Sequence, residues 1–194
     1  MVAAEVLHFE LADEVWLVPC GVRPDKSLHA SPQERLELCQ IAVQATFPLK
    51  FPVKVIDTEI NAGYLPTVYL LRNYRKLFPK NEFSMVIGTD LVASLPEWDL
   101  GTELIKETRF IIVPRCDPHG LLFAENHIPN LHADRLAISP RGLHAAITNL
   151  SSTEVRRRVR LEGVNGAVGL VPLAVLNEIQ RLNLYTDEHE LGDK

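Results

Sequence analysis

Ser151-Ser152-Thr153-Glu154-Val155-Arg156 sets three consecutive hydroxyls at the start of a helical pattern and an arginine one turn further in. A helix N-terminus presents unpaired N–H groups and the positive end of the helix dipole, which suits a phosphate. Arg156 can add bidentate, charge-assisted bonds to the same anion. Arg157, Arg158 and Arg160 make this turn locally basic in a chain whose net charge is −5. A purely structural reading stands beside this one. Ser151 and Glu154 have capping-box spacing, and helical arginines are commonly solvated.

Ile87-Gly88-Thr89-Asp90 closes an apolar run. A glycine there lets a ligand approach the backbone, and an aspartate beyond it can accept from ribose hydroxyls, as in other α/β nucleotide sites. The alternative is a strand end with an Asx cap. Trp98, in Leu95-Pro96-Glu97-Trp98, could stack on a flat ring at a cleft edge, or simply pack. Lys26 lies in the loop after an early apolar run, where it could meet a polyphosphate or only solvent.

These residues need a scaffold, and its elements are legible as short apolar runs alternating with amphipathic stretches. The chain opens within a helix whose Val2, Ala3, Val6 and Leu7 share a face. Strands are predicted at 14–19, 53–57, 83–88, 109–114, 135–139 and 143–148. Ser31-Pro32-Gln33-Glu34 combines a capping box with proline at the first helical position, and the helix after it is expected to bury Leu36, Cys39 and Val43. Further helices are predicted at 67–78, 99–108, 151–162 and 172–184, and residues 115–134 read as a long loop. This alternation predicts an α/β fold, a parallel sheet covered on both faces, with ligands at the carboxyl ends of its strands.

Composition narrows the function classes. The 194 residues are 46% hydrophobic and 23% charged, suited to one globular domain over 1–185 with a polar tail at 186–194. The acidic balance argues against a chain-wide footprint for nucleic acid, and no apolar run is long enough to span a bilayer. Cys20, Cys39 and Cys116 are odd in number and lack CxxC spacing, which argues against a disulfide framework or zinc site. Cys20 and Cys39 are expected to be small buried hydrophobes. MVAAEVLHFE has no basic n-region of a signal peptide, so the cytoplasm is the expected location. A homo-oligomer is compatible with all of this.

In chain order, VPCG, Pro24 with Lys26, IGTD, LPEW, FIIVPR, LSSTEVR and LVPLAVLNEIQRLNLY resemble the nicotinate/nicotinamide mononucleotide adenylyltransferases, from about Ala3 to Tyr185. The SSTxxR element is shared with related nucleotidyltransferases, whereas IGTD with LPEW and the C-terminal run are more particular to this family. The resemblance implies a Rossmann-like fold and transfer of AMP from ATP to nicotinate or nicotinamide mononucleotide, with pyrophosphate leaving. It implies that Ser151, Ser152, Thr153 and Arg156 hold the ATP phosphates, and that Gly88 and Asp90 contact the nucleotide ribose. Trp98, Tyr64, Thr67 and Arg115 would seat the mononucleotide. Lys26 and Arg156 would stabilise charge during the transfer, with Mg²⁺ carried by the ATP phosphates. Other readings are a non-catalytic nucleotide-binding isoform and a related adenylyltransferase for another acceptor.

The family's opening strand and its Gly-x-Phe-x-Pro-x-His-x-Gly-His motif have no counterpart in this sequence. His8 sits mid-helix without flanking glycines, and Asp117-Pro118-His119-Gly120 comes at the wrong place in the order. The first helix therefore reads as the one that follows that motif. The expectation is that a native chain carries on the order of 20 further residues upstream, one strand and a motif loop. Without the motif, turnover by these 194 residues alone is expected to be negligible.

Overall fold

The computed structural model describes residues 1–22, 29–116, 128–135, 144–146 and 150–186. Two compact units share the chain, Met1–Val15 with Leu65–Asn149, and Trp16–Tyr64 with Leu150–Lys194.

In the first unit, helix α1 spans Val2–His8. After strand β1 (Val15–Leu17), helix α2 (Pro32–Thr46) and strand β2 (Val53–Val55), the chain returns to this unit with helix α3 (Thr67–Leu77). Strand β3 (Ser84–Gly88) runs directly into the short helix α4 (Thr89–Val92). Helix α5 (Gly101–Glu107) leads to strand β4 (Arg109–Val113), and strand β5 is Ala133–Arg135. The order β3-β4-β5 is parallel throughout, with Ile87 opposite Ile112 and Gly88 opposite Val113.

β4 shows why this sheet forms. Phe110, Ile111, Ile112 and Val113 are all buried, as a parallel strand covered on both faces requires. Phe110 and Ile112 pack with Val68 and Leu71 of α3, Val92 of α4, and Leu104 and Ile105 of α5. Val113, on the opposite face, packs with Phe9, and Val2 of α1 lies against that pair. The carboxyl ends of β3 and β4 thus finish side by side, where Gly88 and Arg115 are found.

The second unit holds the two-stranded sheet of β1 and β2, helix α2, helix α6 (Ser152–Glu162) and helix α7 (Leu173–Arg181). Its core joins Val155 and Val159 of α6 to Val175, Leu176 and Ile179 of α7, with Leu38, Ile41 and Ala42 of α2 packed against them. The capping box at α2 is present in full. Glu34 N donates to Ser31 Oγ at 3.2 Å, and Ser31 N donates to the Glu34 carboxylate at 2.6 Å.

Some expectations are corrected. On α2 only Leu36 is buried, and Cys39 and Val43 are half-exposed. The core-facing stripe is Leu38, Ile41 and Ala42, so position 39, 100° round the helix from 38, falls on its flank. Cys20 is likewise half-exposed. Partial desolvation, with Cys20 nearby, pushes the Cys39 thiol up, and Arg35 opposes this. The strand expected from Arg135 is Ala133–Arg135, and residues 136–139 lie outside the described residues. The strand expected at 143–148 lies largely outside them too; within it, Ala146 N donates to the Glu5 carboxylate at 3.0 Å. Pro24, the segment from Asp117 to Gly120, and the tail beyond Thr186 also lie outside them. No helix among the described residues is long and apolar enough to cross a membrane.

Candidate active site

The sharpest local geometry in the first unit lies where β3 becomes α4. Gly88 is the residue before that helix, with φ −78° and ψ 151°, a conformation open to any residue. It is a glycine for reasons of space. A Cβ there would stand 2.2 Å from Asp90 Oδ1 and 2.9 Å from Arg115 Cγ. The Asp90 carboxylate and the aliphatic stem of Arg115 therefore close over the Gly88 backbone. Asp90 is exposed in the first turn of α4, and Arg115 is half-buried two residues beyond β4. The Arg115 Nε is buried with no hydrogen-bond partner among the described residues. Three of the expected site residues thus meet within one unit.

Thr89, between Gly88 and Asp90, was not anticipated from the sequence. It is 5% exposed, and its hydroxyl engages Arg115 twice. Arg115 N donates to Thr89 Oγ1 at 2.9 Å, and Thr89 Oγ1 donates to Arg115 O at 3.4 Å. The available signal was a hydroxyl residue at a strand-to-helix junction, too common a feature to single out.

Trp98 is half-buried, follows the 3₁₀ turn Leu95–Glu97, and packs against the core around Leu95 and Leu104. Its Nε1 donates to Ser94 Oγ at 3.2 Å, which fixes the plane of the ring. Its half-buried packing does not exclude the stacking reading. Thr67 opens α3 directly after Pro66.

In the second unit, Ser151 precedes α6, and its Oγ accepts from Glu154 N at 3.1 Å. Ser152 and Thr153 are exposed in the first turn. Arg156 Nη2 donates to Thr153 Oγ1 at 3.4 Å, so guanidinium and hydroxyl stand on the same side of the helix. The basic turn carries one carboxylate among its arginines. Glu154 receives Arg157 Nε at 2.8 Å and Arg158 Nε at 2.7 Å, and these bonds hold its carboxyl down at about 2. Charged donors outcompete a backbone amide for a carboxylate, so the observed Ser151 cap is one-sided. Two of the four arginines are thereby held to one carboxylate, whose single charge offsets one of theirs.

Tyr64, also in this unit, is 45% exposed. Arg35, on α2, was missed by the sequence reading. Its guanidinium donates to Cys20 O at 2.7 Å, to Gly21 O at 2.5 Å and to Ala30 O, tying together the two ends of the segment that contains Lys26. Lys26 itself lies outside the described residues. No group of three or more His, Cys, Asp or Glu among the described residues could hold a metal ion.

No family model matches the chain. A protein of Halalkalibacterium halodurans named "Probable nicotinate-nucleotide adenylyltransferase" is 32% identical over 187 residues, covering 95% of this chain and 83% of its own length. The chain belongs to the nicotinate-nucleotide adenylyltransferases. A second member with the same printed name, from Methylacidiphilum infernorum, is 29% identical over 185 residues, covering 94% of this chain and 82% of its own. The fold agrees. The Plasmodium falciparum nicotinic acid mononucleotide adenylyltransferase, solved with NaAD, superposes with a TM-score of 0.71 at 24% identity, over 95% of this chain and 90% of that one. The parallel sheet with helices on both faces is therefore the Rossmann-like arrangement of this adenylyltransferase family.

Proposed function

We propose that the chain transfers AMP from ATP to nicotinate mononucleotide, giving deamido-NAD and pyrophosphate. The observation that carries this is the 32% identity to a nicotinate-nucleotide adenylyltransferase across 95% of the chain. The local geometry supports specific roles. A phosphate oxygen of the mononucleotide attacks the α-phosphorus of ATP, and the bond from that phosphorus to the bridging oxygen breaks. The mononucleotide phosphate is already ionised at neutral pH, so the step needs no general base. What the protein supplies is positioning and charge stabilisation.

The N-terminal turn of α6 holds the ATP phosphates, through its free amides, the hydroxyls of Ser151, Ser152 and Thr153, and the Arg156 guanidinium. Lys26 adds a second cation to the polyphosphate. Asp90 accepts from the nucleotide ribose, over a Gly88 backbone kept bare for close approach. Arg115, Trp98, Tyr64 and Thr67 seat the mononucleotide, with the Trp98 ring set for stacking by its bond to Ser94. Mg²⁺ enters with ATP as part of the substrate, coordinated by phosphate oxygens and water rather than by a protein cage.

The test is turnover. The full-length protein is incubated with ATP, Mg²⁺ and nicotinate mononucleotide, and deamido-NAD and pyrophosphate are measured. Both are expected to form, and faster with nicotinate than with nicotinamide mononucleotide. Nucleotide binding without either product would overturn this reading in favour of a nucleotide-binding chain without turnover.

A further inference from the structure

We propose that Thr89 is a positioning residue of the mononucleotide site, fixing the backbone of Arg115 and so aiming its guanidinium. The inference rests on the reading of Arg115 as a mononucleotide contact. The parallel ladder between β3 and β4 ends at Gly88 and Val113, because β3 turns into α4 at the next residue. Two residues further along, Arg115 lies past the end of that ladder, where β3 no longer runs beside it. A half-buried backbone group without a partner is costly, and one side chain here serves both the amide and the carbonyl of Arg115. A threonine hydroxyl is at once a donor and an acceptor, and Thr89 Oγ1 uses both capacities, accepting from Arg115 N at 2.9 Å and donating to Arg115 O at 3.4 Å. The ladder is thus extended past its end by a side chain.

That matters because of what is attached. The Arg115 stem lies against Gly88, where an added Cβ would come 2.9 Å from its Cγ. Its Nε is buried and lacks a hydrogen-bond partner among the described residues. A guanidinium nitrogen held dry, and unpaired among the described residues, is available to an acceptor on a ligand. With the stem resting on bare backbone, the direction of the guanidinium is set by the Arg115 main chain, and Thr89 holds that main chain. At 5% exposure Thr89 has no route to a ligand of its own. It acts through Arg115.

The test uses the full chain and reads binding by titration calorimetry, with nicotinate mononucleotide and ATP titrated separately. Thr89→Val keeps the shape and removes the hydroxyl, and is expected to weaken mononucleotide binding about tenfold while ATP binding changes by less than about threefold. Thr89→Ser restores the hydroxyl and should return mononucleotide affinity to within about threefold of the unaltered chain. In an Arg115→Ala background, Thr89→Val should cost nothing further. Should the valine variant not fold, Thr89→Ala removes the same hydroxyl and is read by the same ratio. Arg115→Ala weakening the mononucleotide while Thr89→Val leaves it unchanged overturns this inference alone. Equal losses for both ligands, unrescued by serine, overturn it in favour of a purely structural threonine. If Arg115→Ala leaves mononucleotide affinity intact, or the unaltered chain does not bind that ligand, the underlying reading of the site fails.

Discussion

Replacing Gly88 with alanine separates the requirements of the site from those of the fold. The backbone there, at φ −78° and ψ 151°, accepts alanine without strain. The obstruction comes from side chains, with Asp90 Oδ1 2.2 Å and Arg115 Cγ 2.9 Å from the new methyl. To regain van der Waals distance the carboxylate must retreat by about 1 Å and the arginine stem by about half that. Asp90 Oδ1 is the far end of an exposed side chain and swings away cheaply, and the Arg115 stem needs only the smaller shift, so the cost in folding energy stays modest. Losing a glycine from the helix-capping position costs something, and stiffening the unfolded chain returns roughly 0.4–1 kcal/mol. The melting temperature should therefore move by less than about 4 °C. Binding should suffer more. Displacing a hydrogen bond to a charged group costs about 1.5–3 kcal/mol, roughly a ten- to hundredfold rise in Kd. Gly101→Ala is the control, because its Cβ would stand 2.0 Å from the backbone oxygen of Leu95, which cannot swing aside. That variant should lose about 1–3 kcal/mol of stability. Calorimetry with ATP and with nicotinate mononucleotide, paired with thermal melts, reads both effects. Gly88→Ala binding both ligands as the unaltered chain does would refute the placement of Asp90 and Arg115 against them. A melting loss matching that of Gly101→Ala would refute the claim that only side chains are displaced.

The parts of the fold that were legible beforehand are those where local chemistry and tertiary context agree. Ser31-Pro32-Gln33-Glu34 announced its helix because capping box and N-terminal proline both act within a single turn. β4 was legible because a strand buried on both faces must be apolar at successive positions, and Phe110 to Val113 are. What failed to show in the sequence was orientation. Cys39 and Leu38 are adjacent, and which of them faces α6 and α7 depends on how α2 packs against them. Ser151 and Glu154 have the spacing of a full capping box, but Arg157 and Arg158 take the carboxylate that the reciprocal bond requires. The candidate site divides in the same way. Gly88 and Asp90 stood out because glycine and aspartate at a strand end are chemically suggestive. Thr89 and Arg35 were missed because their partners are backbone atoms 26 and 15 residues away in sequence, Arg115 and Cys20. A side chain that serves distant backbone leaves no local pattern.

Other outcomes are open to direct measurement. Arg156→Ala should weaken ATP binding about ten- to hundredfold; unchanged ATP affinity in calorimetry would remove α6 from the phosphate site. Leu176→Ala, in the core between α6 and α7 at 2% exposure, should cost about 2–5 kcal/mol in urea unfolding, and a loss under 1 kcal/mol would mean that this core is not packed as described. Ser31→Ala should cost about 1 kcal/mol in the same experiment through the lost cap of α2. Acid should find the Glu154 cluster. Its folded-state pKa, about 2, lies below the ordinary carboxylate value of 4.5 because Arg157 and Arg158 bond the ionised form. A depressed carboxyl contributes stability above its unfolded value and loses it as pH falls toward the folded one, so the contribution fades between about 4.5 and 2. The cluster is solvent-exposed, so the effect is small and screened by salt. Glu154→Gln should therefore flatten part of the decline in urea midpoint between pH 4.5 and 2 at low ionic strength and leave the profile from pH 6 to 8 parallel to that of the unaltered chain; identical slopes in the acid window would show that the two arginines do not hold the carboxylate in solution.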